Sequence, residues 1–383
     1  MTDEYREDKN RMPHLDMIRG LAAVEVAIGH LRAFFFVDYE QSHGGLMARI
    51  FYTVSGLHHE AVMIFFVLSG FLVGGSIIRL NRSGKWRWQN YLLRRLCRLW
   101  IVIIPALLLT LIWDSLGARL NPAGYQGAFY PQLLSGPIAG NDLSLKAFVG
   151  NLLFLQRIVV HCFGTNGPIW SLANEFWYYL LFPLGLQVVL RKESLLARAA
   201  AVVLLGAIYA LLPASILLYG SVWLFGVLAF LALDHPATSR SASHWLVGVV
   251  ALIALVAALL ASRARLHFDN DFVIGAAFAI ALPFMARVGA SSRAYRRTGF
   301  ALSEMSYTLY LVHFPLLAFA YFTLAAPGQW QFSLISIAMF AGILLLVMVY
   351  AMAIWWLFER NTDRLRAFVV QCLQRAGWRR TYA

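Results

Sequence analysis

The chain has 383 residues, 60% of them hydrophobic, 14% aromatic and only 13% charged. Soluble domains carry about a quarter charged residues, so this composition excludes a soluble globular protein and defines an all-α, polytopic integral membrane protein. A formal charge of +13 needs no nucleic-acid partner, because the basic residues gather where inner-leaflet anionic lipid would lie.

Ten apolar segments approach spanning length, at about 15–37, 55–78, 99–116, 170–190, 195–213, 215–233, 244–262, 268–288, 303–326 and 331–358. With the amino terminus inside, 24 of the 32 Lys and Arg fall in cytoplasmic segments and 7 outside, so both termini are expected in the cytoplasm. The expected location is the inner (plasma) membrane. One membrane domain fills 1–383: a cytoplasmic segment 1–14, a transmembrane domain 15–358 with a long outer loop at about 117–169, and a cytoplasmic tail 359–383. The charged start, Asp3 through Arg11, offers no cleavage site, so the first span is expected to persist. Cys97 and Cys372 fall inside and Cys162 outside, which argues against a disulfide.

Along the chain, the first span holds Arg19 and His30, eleven residues apart. Eleven residues at 100° return to within about 20° of whole turns, so both side chains share a helix face, roughly 16 Å apart along the axis. Entering from the cytoplasm, Arg19 stays near the inner headgroups while His30 lies roughly 22 Å deep, where a neutral imidazole can take a proton from a hydroxyl or be acylated. Glu25 is about 140° around the helix from His30, and its role stays open. His58-His59-Glu60 lacks the i, i+4 histidine pair of a metal site, and no metal is expected. Next comes Phe65-Phe66-Val67-Leu68-Ser69-Gly70-Phe71-Leu72-Val73-Gly74, whose small residues favour close helix packing and could also admit a thin ligand chain.

In the inner cluster Arg94-Arg95-Leu96-Cys97-Arg98, positive-inside bias explains part of the charge, yet Arg94 and Arg98 are i, i+4 and could clamp phosphates together. The outer loop is rich in Gly and Pro. It leads into Trp170-Ser171-Leu172-Ala173-Asn174-Glu175-Phe176-Trp177-Tyr178-Tyr179, an aromatic belt that does not account for Glu175. Glu175 lies some 8 Å below the outer boundary, close to the depth of His30, so the two could form an orienting dyad. In the ninth span, Ser306-Tyr307-Thr308-Leu309-Tyr310-Leu311-Val312-His313-Phe314-Pro315 places Tyr310 and His313 at i, i+3, where both may be read as cavity-lining or as packing around the carbonyl freed by the proline.

The order of these motifs is specific. Leu15-Asp16-x-x-Arg19-Gly20 with His30, then Phe65 to Leu72, Arg94-Arg95-x-x-Arg98, Trp170-Ser171-Leu172-x-x-Glu175-x-x-x-Tyr179, Ser306-Tyr307-x-Leu309-Tyr310-Leu311-x-His313-x-Pro315 and Phe358-Glu359-Arg360 resembles the acyltransferase 3 family of membrane-bound O-acyltransferases over nearly the entire chain. The resemblance implies a ten-span enzyme that moves an acyl group, usually acetyl, from cytoplasmic acyl-CoA to a hydroxyl of a surface carbohydrate or glycolipid. It implies His30 as the catalytic histidine with Glu175 in support, and Arg19, Arg94, Arg95, Arg98 and Ser69 on the donor. Trp170, Tyr179, Tyr310 and His313 are expected toward the substrates. Some relatives carry a further extracytoplasmic hydrolase-like domain, whereas here only the tail follows Glu359, so the membrane domain is expected to act alone. Glu25 and Phe176-Trp177 depart from the family pattern and leave the acceptor open among O-antigen or lipooligosaccharide sugars, exopolysaccharide, a glucan, a lipochitooligosaccharide and a small metabolite. The alternative from another class is a transporter or flippase for a lipid-linked sugar, with Arg19, His30 and Glu175 as a relay. Oligomeric state is not readable from the chain.

Overall fold

The computed structural model describes residues 12–125, 142–190, 194–233, 242–263, 270–289, 292–325 and 328–375. The segment 1–11, the part of the outer loop at 126–141, and the tail from 376 lie outside the described residues. Among the described residues the regular structure is helical throughout. In chain order the helices are α1 (Pro13–Phe35), α2 (Gly45–Val54), α3 (His58–Ser69), α4 (Gly75–Arg82), α5 (Trp88–Leu120), α6 (Pro122–Tyr125), α7 (Leu145–Leu152), α8 (Trp170–Val189), α9 (Leu195–Leu211), α10 (Ala214–Leu233), α11 (Ala242–Arg263), α12 (Asn270–Arg287), α13 (Arg293–Ala320), α14 (Leu334–Leu357) and α15 (Thr362–Arg375). Wider π turns join α3 to α4 at Gly70–Gly74 and extend α13 over Tyr321–Ala325.

Each apolar segment read from the sequence falls on a helix, but the polar ends were underestimated. The third runs from Trp88 and the ninth from Arg293, because a helix continues past the hydrophobic run wherever neighbours satisfy its polar turns. Five stretches, Gly45–Arg82, Trp88–Leu120, Ala214–Leu233, Arg293–Leu324 and Leu334–Arg375, are long and apolar enough to cross a membrane by length and composition. These helices make the protein an integral membrane protein. Four helices were not expected: α2 between the first two apolar segments, α6 and α7 within the stretch 117–169, and α15, an amphipathic helix after α14 that packs on α5.

The largest helix–helix contact joins α1 to α13. Gly20 makes it close, since a Cβ there would overlap Leu302 on α13, and a Cβ on Gly299 would be in tight contact with Met17 on α1. The pair is tied at one end, where Trp330 N–H donates to Phe35 O at 2.6 Å just beyond α1. Helix α3 packs on α1, and α5 and α14 pack on α13. Glu25, left open above, turns from the His30 face to accept from Leu57 N–H at 3.0 Å, so it caps the start of α3.

Gly70 and Gly226 bring the π turn against α10. A Cβ on Gly70 would overlap the Trp223 carbonyl oxygen, and one on Gly226 would overlap the Val67 carbonyl oxygen. Gly74 and Gly75 face Val227 and Phe230 in turn, so the space left by the glycines of this stretch is filled by α10. Gly70→Ala is expected to destabilise the fold by about 3 kcal/mol, because the added methyl meets rigid backbone. A thermal melt in lipid nanodiscs that matched the parent would contradict this packing.

Pro315 frees the Leu311 carbonyl inside α13, and Asn166 Nδ2–H donates to it at 2.9 Å. Asn166 belongs to the loop 163–167, where Thr165 donates to Asp114 on α5 through its N–H (2.6 Å) and its hydroxyl (2.8 Å). The end of the outer loop is thereby fixed against both α5 and α13, which sets where α8 begins.

Candidate active site

A cavity of about 310 Å³ opens between α1, α3, α5, α8 and α13. Arg19, Arg95 and Arg98 contribute its cationic part, Ser69, Glu175, Tyr179 and Tyr310 its polar wall, and Phe65, Phe66 and Leu72 part of its apolar wall.

Each guanidinium is held by a different device. Arg19 donates to Ser303 Oγ through Nε at 2.6 Å and also through Nη2, and Nη2 lies 3.5 Å from Asp16 Oδ1. Ser303 in turn donates to Asp16 at 3.1 Å, which closes a three-membered network between α1 and α13. Arg98 Nη2 pairs with Glu359 Oε1 at 3.6 Å, and Glu359 Oε2 accepts from the Thr308 hydroxyl at 2.6 Å and the Thr308 N–H at 3.2 Å. Glu359 is only 5% exposed, so its carboxylate is committed to Arg98 and Thr308. Arg95 lies over the rings of Tyr91 and Tyr179, at 5.7 and 5.5 Å from their centroids.

Arg94 departs from the expected clamp. It is exposed, bonds the Asn90 carbonyl at 3.2 Å and does not line the cavity. The cationic pair on α5 is therefore Arg95 with Arg98, at i, i+3, because α5 turns that face toward α8 and α13. If the cavity takes the acyl-CoA that the resemblance implies, Arg94→Ala is expected to change its affinity less than twofold and Arg95→Ala about tenfold, read by titrating acyl-CoA in a transfer assay; equal effects would contradict this assignment.

Glu175 meets partners other than His30. Tyr179 Oη donates to its Oε2 at 3.1 Å, Ser69 Oγ lies 3.4 Å from the same phenol, and Trp223 Nε1–H donates to Ser69 at 3.1 Å. The carboxylate thus ends a chain of hydroxyls within the cavity that holds Arg95 and Arg98. His30 takes a different partner: its Nδ1 lies 2.9 Å from Nε2 of His313, with the two rings within 14° of coplanar. Matching depth placed Glu175 and His30 at one level, but the azimuth of α8 aims the glutamate into the cavity.

His313 is fully buried, and its Nδ1 lies 2.8 Å from the Leu309 carbonyl. His58 and Phe314 bring their rings to 5.1 and 5.0 Å from His30. Tyr310 connects this group to the cavity, with its ring 6.3 Å from that of His313 and its hydroxyl bound to Ser171 (2.7 Å) and Pro168 O (2.9 Å). Trp170 stands off the cavity wall, between Phe66, Tyr219 and the guanidinium of Arg157. Seven expected site residues, Arg19, Ser69, Arg95, Arg98, Glu175, Tyr179 and Tyr310, meet in one cavity. His30 and His313 meet each other beside it.

Sequence reasoning missed Asp16, Ser303, Thr308 and Glu359 as the holders of the guanidiniums. The i, i+3 spacing of Asp16 and Arg19 was a usable signal. Ser303 and Thr308 carried none, since their partners are hundreds or tens of residues away. Among the described residues, no cluster of three or more His, Cys, Asp or Glu is placed to hold a metal.

Three guanidiniums thus line one cavity between the helices of this membrane protein, with the half-buried His30 and the fully buried His313 paired nearby. The chain belongs to the acyltransferase domain family, whose family model matches residues 12–360. Two curated relatives are similar to part of it. A peptidoglycan O-acetyltransferase, OatA of Listeria monocytogenes, is 26% identical over 192 residues, which is 49% of this chain and 26% of the relative. A putative peptidoglycan O-acetyltransferase, YrhL of Bacillus subtilis, is 24% identical over 198 residues, 50% of this chain and 26% of the relative. The matched region thus spans about a quarter of the length of these relatives. No solved structure matches the chain.

Proposed function

We propose that this protein is an O-acyltransferase that moves an acetyl group from acyl-CoA to a hydroxyl of a cell-surface carbohydrate or glycolipid. It would work as a ten-span protein of the plasma membrane with both termini in the cytoplasm. The single observation that carries the reading is the convergence of Arg19, Arg95 and Arg98 on a cavity whose wall includes Tyr310, with its ring 6.3 Å from that of His313, the partner of His30. Phosphates of the donor suit three guanidiniums, two of which are held by carboxylates that keep them oriented. The pantetheine arm suits the partly apolar passage past Ser69 and Phe65. On α1, Arg19 and His30 lie roughly 16 Å apart along the axis, which separates the phosphate end from the reacting end.

In the reaction, His30 takes the proton of the acceptor hydroxyl as the oxygen attacks the thioester carbonyl. The C–S bond breaks, and the leaving thiolate takes the proton from the imidazolium. Enclosure favours transfer over hydrolysis, because water in the passage would compete for the thioester. The peptidoglycan O-acetyltransferases among the relatives make peptidoglycan the first acceptor to test. The experiment is mass spectrometry of purified surface glycans and glycolipids, peptidoglycan included, from cells expressing the parent or His30→Ala at equal membrane levels. A mass increment of one acetyl group present only with the parent is expected. Identical glycan masses in both strains would overturn the reading.

A further inference from the structure

We infer that His313 is a positioning residue that fixes the tautomer of His30, placing hydrogen on Nδ1 and leaving Nε2 as the basic atom. The inference rests on the reading of His30 as the base and adds which atom acts and what selects it.

The Leu309 carbonyl lies 2.8 Å from Nδ1 of His313, and a carbonyl oxygen only accepts. Nδ1 of His313 therefore carries hydrogen, since the other tautomer would set two lone pairs against each other at that distance. In the neutral ring, Nε2 of His313 then holds the lone pair, and it faces Nδ1 of His30 at 2.9 Å. For that contact to be a hydrogen bond, His30 must donate from Nδ1. The Nε2 lone pair of His30 is left for the acceptor hydroxyl.

The bond also survives the reaction. When Nε2 of His30 takes the proton, Nδ1–H still points at His313, and the new charge strengthens that bond. The ring is thus held in one orientation before and after proton transfer. The near-coplanar rings, 14° apart, match an in-plane N–H to N bond. The register is set within one helix, because Leu309 and His313 are i, i+4 on α13. The close α1–α13 contact at Gly20 brings His30 to it.

The test compares His313→Gln, whose amide oxygen can accept from His30, with His313→Met, which is similar in size and has no comparable acceptor. Both are assayed beside His30→Ala in nanodiscs, with acetyl-CoA and the glycan acetylated in cells, and melts establish equal folding. The Gln variant is expected to keep kcat within about tenfold of the parent. The Met variant is expected to lose at least about 100-fold in kcat with the KM for acetyl-CoA unchanged. Equal kcat in the two folded variants would overturn the positioning role while an inactive His30→Ala left the base assignment standing. An active His30→Ala would instead overturn the base assignment itself. Nitrogen NMR of histidine-labelled parent protein, with the His30 signal assigned by its loss in His30→Ala, is expected to find the hydrogen on Nδ1. Hydrogen on Nε2 would overturn the inference without reference to any variant's folding.

Discussion

Alanine at position 30 is expected to lower kcat for acyl transfer by about 10²- to 10⁴-fold, the range lost when a positioned general base is removed. Binding of the donor is expected to change little, since Arg19, Arg95 and Arg98 belong to the cavity and His30 is not among its lining residues. The two effects separate in one experiment: initial rates against acyl-CoA concentration, with donor binding measured independently by calorimetry. The substitution leaves His313 with a bare acceptor in a fully buried position, so some loss of stability accompanies it, of order 1–3 kcal/mol. His30→Gln is the companion variant, because its amide can still meet His313 but cannot act as a base at neutral pH. Both variants are expected to be inactive. Full transfer by a folded His30→Gln would contradict the catalytic assignment.

The second large effect is expected at Arg98. Arg98→Ala removes a guanidinium from the cavity proposed for the donor and is expected to raise the KM for acyl-CoA about 10- to 100-fold, as loss of a charge-assisted hydrogen bond worth about 1.5–3 kcal/mol requires. Arg98→Lys restores charge without the planar fork and is expected to recover only part of that loss. The partner supplies an internal check. Arg98→Ala leaves the Glu359 carboxylate buried beside Thr308 without its guanidinium, so the variant is expected to melt earlier than the parent. Adding Glu359→Gln to Arg98→Ala removes that unpaired charge and is expected to restore stability but not donor affinity. Recovery of donor affinity in the double variant would mean that Arg98 acts on the fold and not on the donor.

How much of this site was legible in the chain depends on whether a residue's partner is local. The Arg19–His30 spacing fixes two side chains on one helix face, and α1 is an unbroken helix over Pro13–Phe35. The Asp16–Arg19 contact is an i, i+3 relation of the same kind. By contrast, Arg94 and Arg95 are neighbours of equal charge, and nothing in their immediate sequence distinguishes them. The packing of α5 against α13 and its approach to α8 turns Arg95 inward and leaves Arg94 outside. Glu175 shows the same limit from another side, since hydropathy gives depth along a span but not rotation about it.

The sequence alone determined the membrane setting, the helical class, the positions of the ten apolar segments and the residues able to carry charge or a proton between them. These follow from composition and from helix periodicity, which need no knowledge of neighbours. Only the tertiary structure decided that His30 meets His313 rather than Glu175, that Glu359 and Thr308 hold Arg98, and that Ser303 holds Arg19. Those contacts join residues 51 to 284 positions apart, and their rotation about each helix is set by interlocking side chains and glycine contacts across helices.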